Sequence, residues 1–292
     1  MLVAGDTGGI YASSAELTAF RASCLDSVLR KHRESLSGAS AGGGEGERGR
    51  GNSPPGHQVW NSSSRSVDMV FFTSVLLMHD ALASLFNRRL DPYEPPLEWF
   101  GMARGVFFVS HTAMSVAAED PDSHTMALVR AADDMRDVYN PNPEEEQHSL
   151  RAFPELIYAK AADGETWLET EMERTDEDAT DAYHHTVSQV GAMRRALDRG
   201  ADWKDLGRRL TMFAVILRPR FIELLQDRRP KAFVILAHYF AVATYATRFW
   251  WVGDVPFREF DALDKVLPAE WQHLLRWPRE IVEQHRHASI AS

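Results

Sequence analysis

The sequence has a single cysteine, Cys24, among its 292 residues. One thiol cannot form an intramolecular disulfide, and it cannot build a structural zinc site that uses two or more thiolate ligands. A chain of this length buries enough apolar surface to fold without such cross-links. The sequence therefore predicts a domain that is held together by its hydrophobic core, in a reducing compartment.

Basic residues are also scarce. The chain has 32 lysines and arginines against 42 aspartates and glutamates, which gives a formal net charge of -10. Proteins that bind nucleic acid need clustered positive charge to neutralise the phosphates. The composition therefore argues against direct nucleic-acid binding by the chain as a whole.

Targeting and membrane-spanning segments are not evident. The N-terminus has no basic region, and Asp6 interrupts its apolar residues. Of the two most apolar stretches, Val67–Phe86 contains Asp80, and Ala232–Ala246 contains His238 and is too short to span a bilayer. We expect both stretches to form buried helices, and we expect no membrane span.

The pattern of apolar residues predicts an all-α fold, a multi-helix bundle. Apolar residues recur at helical spacing through most of the chain, and no alternating run is bounded by turns. We expect an N-terminal helix of the bundle within residues 1–36, a disordered loop rich in Gly, Ser and Pro over residues 37–66, a main helical body over residues 67–284 and a short tail over residues 285–292. A long apolar helix of the body is predicted over Pro230–Trp251.

An aspartate-rich motif offers one metal-binding hypothesis. Asp133, Asp134 and Asp137 have the DDxxD form that class I terpene synthases use to bind magnesium and diphosphate. The expected second ligand motif is absent from the sequence, so a solvated acidic helix end is the simpler interpretation. No nucleophile elbow, Walker loop or dinucleotide fingerprint occurs, and we expect no cofactor.

The helices are rich in aromatic residues, which either fill a core or line an apolar pocket. Polar side chains within apolar helices are the candidates for chemistry, because a buried ionisable group must be paired or must shift its pKa. The predicted acid–base residues are His238, Tyr239 and His111. The predicted substrate contacts are Trp99, Met102, Arg104, Phe107, Phe213, Trp250 and Trp251.

Several of these residues lie in segments that resemble a known family. The run RRPKAFVILAHYFAVATYATRFWWVGD at Arg228–Asp254, the end LPAEWQHLLRWPREIV at Leu267–Val282 and the segment PPLEWFGMARGV at Pro95–Val106 resemble the C-terminal effector domain of fungal zinc-cluster transcription factors of the sterol uptake control type. The resemblance covers roughly Glu16 to Val282. It implies an all-helical domain, often a homodimer, with an apolar pocket for a sterol or similar lipid.

The six-cysteine zinc cluster of that family has no counterpart in this sequence, and this absence leads to two hypotheses. In the first, a stand-alone pocket acts as a cofactor-free enzyme of fungal secondary metabolism, catalysing Diels–Alder-type cyclisation, isomerisation or dehydration of a terpenoid or polyketide. We favour this hypothesis because the DNA-binding module through which the family acts is missing while the pocket is kept. The hypothesis predicts a cytoplasmic location. The alternative is a non-catalytic sterol- or lipid-binding co-regulator of transcription without its own DNA-binding module, located in the nucleus.

Overall fold

The computed structural model describes residues 64–117, 123–125, 127, 142–249 and 251–290. The predicted N-terminal helix, nearly all of the predicted Gly/Ser/Pro loop, the motif at Asp133, Asp134 and Asp137, and Trp250 lie outside these residues. The same holds for the side chain of His111, although its backbone is part of a helix.

The described residues form eleven α-helices and no β-strand, so the all-α prediction is confirmed. Three short 3-10 helices at Ser84–Asn87, Thr244–Ala246 and Ala269–Leu275 accompany them. The α-helices are α1 Ser64–Ala83, α2 Leu97–Ala117, α3 Pro143–Leu150, α4 Pro154–Tyr158, α5 Glu171–Thr175, α6 Glu177–Asp198, α7 Trp203–Ile216, α8 Pro219–Gln226, α9 Pro230–Ala243, α10 Val255–Val266 and α11 Arg276–Ile290.

The chain divides into two compact units. The smaller consists of residues 1–73 and 112–126, and its described part is organised around Asp68. This buried carboxylate accepts hydrogen bonds from the Ser123 hydroxyl at 2.9 Å, from the His124 amide at 2.9 Å and from both the amide and the hydroxyl of Thr125. Burial alone would raise the pKa of Asp68, but these hydrogen bonds outweigh it and hold the pKa below its usual range.

The larger unit consists of residues 74–111 and 127–292, and α9 lies at its centre. Every residue of α9 from Lys231 to Ala243 is buried. Helices α6, α10 and α11 pack against it, together with the 3-10 helix Ala269–Leu275. A helix that is apolar on all faces is stable in water only when other elements cover it on every side.

Helix α1 differs from its prediction as a buried helix. By length and composition alone, the stretch Asp68–Asn87 could cross a membrane, a test that the core helices of soluble proteins also pass. In this protein 44% of the stretch is buried. Met69 is 59% exposed and Leu76 is 70% exposed. The helix is apolar nearly all round, so whichever face does not pack is left as exposed hydrocarbon.

A glycine in α6 lets another helix of the larger unit approach closely. The backbone of α3 lies directly against Gly191, where a Cβ atom would overlap with the carbonyl oxygen of Ser149. The guanidinium of Arg195, one turn further along α6, donates to the carbonyl of Glu145 at 3.2 Å and to the Ser149 hydroxyl at 3.1 Å. The missing side chain at position 191 and these hydrogen bonds together hold α3 on α6.

We expect Gly191→Ala to lower the free energy of unfolding by about 2 kcal/mol, because the added methyl group meets backbone that cannot rotate away. The control is Gly105→Ala in α2, where the methyl group meets nothing within 4 Å and lies on an exposed helix face. That control should gain roughly 0.5–1 kcal/mol from helix propensity. Urea denaturation of both variants measures the difference, and equal midpoints would show that α3 does not pack on Gly191.

Candidate functional site

The predicted acid–base residue His238 lies in the middle of α9 and is fully buried. Its Nδ1 is 2.8 Å from the carbonyl oxygen of Val234, one turn earlier in the helix. Its ring stacks on Trp277 with centroids 5.7 Å apart and meets Phe153 edge-on at 4.9 Å. The guanidinium of Arg194 lies over the rings of both Phe153 and Trp277. His238 is therefore one member of a packed cluster of rings.

Burial determines the charge of His238. Desolvation lowers its pKa from 6.5 to about 4, with the nearby Arg194 acting in the same direction. Nε2 has no hydrogen-bond partner among the described residues. The imidazole is therefore neutral at physiological pH, which removes the desolvation cost that a buried imidazolium would carry.

The neighbouring residue Tyr239 packs against a different set of rings from those around His238. Its ring stacks on Phe213 with centroids 4.1 Å apart and planes 15° apart, and Trp99 lies 6.1 Å away. Its hydroxyl donates to the carbonyl of Leu210 at 3.1 Å, and burial raises its pKa well above the ordinary value. Phe213 and Trp99 are each 1% exposed. This part of the predicted site is a set of stacked core rings.

The remaining predicted contacts do not join this cluster. Helix α2 turns Trp99, Ala103 and Val106 towards the core, so Arg104 and Phe107 fall on its opposite, exposed face. Met102 is half-buried at the edge of the core. Trp251 is half-buried too, and its ring lies 4.9 Å from that of Phe249 and 5.7 Å from that of His79. We expected one pocket, but the near-uniform apolarity of α2 hid which face points inward.

The buried charges of the larger unit serve its packing. Lys231 at the start of α9 donates to Glu169 at 2.8 Å and to the carbonyl of Ile157 at 3.2 Å, with both charged side chains under 10% exposed. Burial lowers the pKa of Lys231 and the carboxylate opposes this shift. Arg88 and Glu259 form a second ion pair at 2.5 Å, and the Tyr93 hydroxyl donates to the same carboxylate at 3.2 Å. Each of these charges meets its counterion inside the protein, as buried charges require.

Three surface clefts are lined by described residues, and none of the predicted site residues lines these three. The first lies between α3, α6 and α7 and is polar, with arginine, glutamate, serine and glutamine side chains in its walls. The second follows α5 and the start of α6, and the third lies beside Tyr93, Arg228 and Lys265. Sequence reasoning missed the first cleft because its polar residues are of the types that usually face solvent on a helix.

Metal binding finds no support in the described part of the chain, where no group of three or more His, Cys, Asp or Glu side chains could hold an ion. The aspartates at 133, 134 and 137 lie outside it, so the magnesium hypothesis stays a prediction.

Two curated fungal proteins match the chain. The Zn(2)-C6 fungal-type transcription factor afumD of Aspergillus fumigatus is 27% identical over 178 residues, which cover 61% of this chain and 43% of that protein. A Zn(2)-C6 fungal-type transcription factor of Gibberella zeae is 25% identical over 229 residues, which cover 74% of this chain and 42% of that protein. The chain is related to fungal zinc-cluster transcription factors. The resemblance inferred from the sequence motifs is thereby confirmed.

The chain spans less than half the length of each of these relatives. No family model matches the sequence, and no solved structure matches it. The comparisons favour a regulator of transcription over the cofactor-free enzyme that we predicted from the sequence.

The lowered pKa of His238 predicts that the stability of the protein depends on pH. The folded protein binds a proton on this imidazole more weakly than the unfolded chain does, so the unfolded state gains stability as the pH falls from 6.5 towards about 4. The contribution is absent above pH 6.5 and grows to about 3 kcal/mol of lost stability near pH 4. His238→Phe, which keeps a ring between Phe153 and Trp277, should lose this acid sensitivity.

Urea denaturation of the unaltered chain and of His238→Phe between pH 4 and pH 7 measures the effect as the difference between their free energies of unfolding. The titration of other groups cancels in this difference. Parallel stability curves would show that His238 does not change its affinity for protons on folding.

Proposed function

We propose that the chain is a regulatory domain of fungal transcription control that acts in the nucleus without catalysing a reaction. Its relation to two transcription factors over more than half of its length is the observation on which this proposal depends. A nuclear location replaces the cytoplasmic one that the enzyme hypothesis required.

The placement of the predicted catalytic residues supports a regulator. A general acid or base must come within hydrogen-bond distance of its substrate. His238 is enclosed by Phe153 and Trp277, and the Tyr239 hydroxyl is engaged by a backbone carbonyl. Neither group faces the described clefts, so catalysis would require the core to open.

Contact with DNA is assigned to another polypeptide segment or another protein. The single cysteine of these 292 residues cannot form a six-cysteine zinc cluster, and the net charge of -10 opposes binding to phosphates. A regulatory domain of this kind would influence transcription through bound ligands or protein partners. The apolar ligand and the homodimer that the family resemblance implies stay predictions.

A reporter assay tests the proposal. The full chain is fused to a DNA-binding module of known site and expressed in a filamentous fungus that carries a matching reporter gene. We expect the fusion to change reporter expression several-fold relative to the module alone. The control is Val234→Asp, which places a charge in the centre of α9 and should abolish the effect by unfolding the domain.

The same strains carrying a fluorescent tag on the unfused chain report its location. Nuclear accumulation is expected. A stably expressed fusion that leaves the reporter at the level of the module alone, with the unfused chain confined to the cytoplasm, would contradict the proposal.

A further inference from the structure

The third cleft, beside Tyr93, is lined by three parts of the larger unit. Helix α10 lines it with side chains at steps of three and four residues, namely Arg258, Asp261, Ala262, Lys265 and Val266. The segment before α2 contributes Leu90, Asp91, Pro92 and Tyr93, and Arg228 comes from the connection between α8 and α9. The space of about 630 Å³ is partly open to solvent and lies within the size range of small-molecule sites.

The three cations that line this cleft have no carboxylate partner. Arg228 donates from Nη1 to the carbonyl of Tyr93 at 2.8 Å, and Arg258 donates to three backbone carbonyls within residues 85–88. Lys265 is exposed and makes no hydrogen bond or ion pair in the described part of the chain. Because a carbonyl oxygen carries no net charge, it orients a guanidinium without cancelling its positive charge.

Two aspartates line the cleft as well, and they offset only part of this charge. Asp261 is ion-paired at 2.8 Å with Arg286, which is not a lining residue. Glu259, beside Arg258 in the chain, is paired with Arg88. Asp91 is exposed and pairs with no cation among the residues that the structure describes. Three unpaired cations against one unpaired carboxylate leave a local excess of two positive charges, which attracts an anion.

Arg228 adopts a backbone conformation that glycine normally takes. It follows the C-terminus of α8 with a φ of 57°, and the amide of Arg229 bonds back to the carbonyl of Leu224, as in the usual glycine-containing helix end. The backbone therefore favours glycine at this position, and the arginine is useful through its side chain. The guanidinium can be removed here without disturbing the end of α8.

Apolar side chains complete the cleft beside these cations. Leu90 is half-buried, and Pro92 and Val266 are exposed, so all three present hydrocarbon to the open space. Hydrocarbon of this kind gives the uncharged part of a ligand a surface on which to lie, and covering it contributes to affinity. The lining therefore fits an occupant with a doubly charged anionic group on an uncharged body.

We propose that the third cleft binds a small molecule that carries a phosphate monoester and has the size of a nucleoside monophosphate. A phosphate monoester carries about 1.5 to 2 negative charges at pH 7, which matches the local excess of positive charge. Arg228, Arg258 and Lys265 hold the phosphate, and the body of the ligand lies against Leu90 and Val266. The site goes beyond the proposed function, and it stands or falls independently of transcription.

Isothermal titration calorimetry of the full chain tests the site with three monoesters, AMP, glucose 6-phosphate and phenyl phosphate. Adenosine is the matched compound without the phosphate, inorganic phosphate lacks the body, and succinate is a dianion without phosphorus. We expect at least one monoester to bind saturably, inorganic phosphate and succinate to bind several-fold more weakly, and adenosine not to bind. Added salt should weaken binding of the monoester, because the site is open to solvent.

Three variants separate binding from folding. Lys265→Gln removes the charge of an exposed side chain without a partner, so it should weaken monoester binding ~5-fold or more while the thermal unfolding temperature stays the same. Arg228→Gly removes a guanidinium and relaxes the backbone, and it should weaken binding ~10-fold. The control Lys204→Gln makes the same change of charge at an exposed position of α7 outside the cleft, and should bind as the unaltered chain does.

Four results would each overturn the proposal. The first is that none of the three monoesters binds saturably. The second is that succinate or adenosine binds as tightly as the tightest monoester, and the third is that inorganic phosphate does so. The fourth is that folded Lys265→Gln binds that monoester as tightly as the control variant does, which would place the anion away from this cleft.

Discussion

The complete burial of α9 is the constraint on which the larger unit depends. A helix without a solvent-facing side shields its polar side chains from water, so each ionisable group on it must be paired or remain uncharged. Lys231 meets Glu169 at 2.8 Å, and His238 remains neutral between Phe153 and Trp277. Helices α6, α10 and α11 supply the apolar cover, so their positions follow from the need to enclose α9.

The packing of α9 also determines where function can reside. The aromatic residues that the sequence offered as a pocket stack on one another, as Phe213 and Tyr239 do at 4.1 Å, and they leave the described clefts to other residues. The clefts that the described residues line lie at the surface, and the first of them is walled by polar side chains such as Gln189 and Arg195.

Part of this structure could be predicted from the sequence. Proline at the first helical position correctly marked the start of α9, but the predicted helix Pro230–Trp251 ends at Ala243. The Thr244 hydroxyl bonds to the carbonyl of Ala241 and to His285, and the chain tightens into a 3-10 turn there. Such contacts join residues distant in sequence, so periodicity cannot reveal them.

The orientation of side chains was harder to predict. Helix α2 is apolar on nearly every face, so nothing in its pattern showed that Phe107 would be exposed while Trp99 would be buried. Gln189 is the reverse case, a polar residue that is expected to face water but is buried. Its burial depends on how α3 packs at Gly191.

Native-state hydrogen exchange of the α9 amides tests the packed core most directly. The account predicts that these amides exchange only through global unfolding, with a free energy of opening equal to that obtained by urea denaturation. Exchange of α9 at a distinctly lower free energy would contradict it, because the central helix would then line a space that opens while the rest of the domain stays folded.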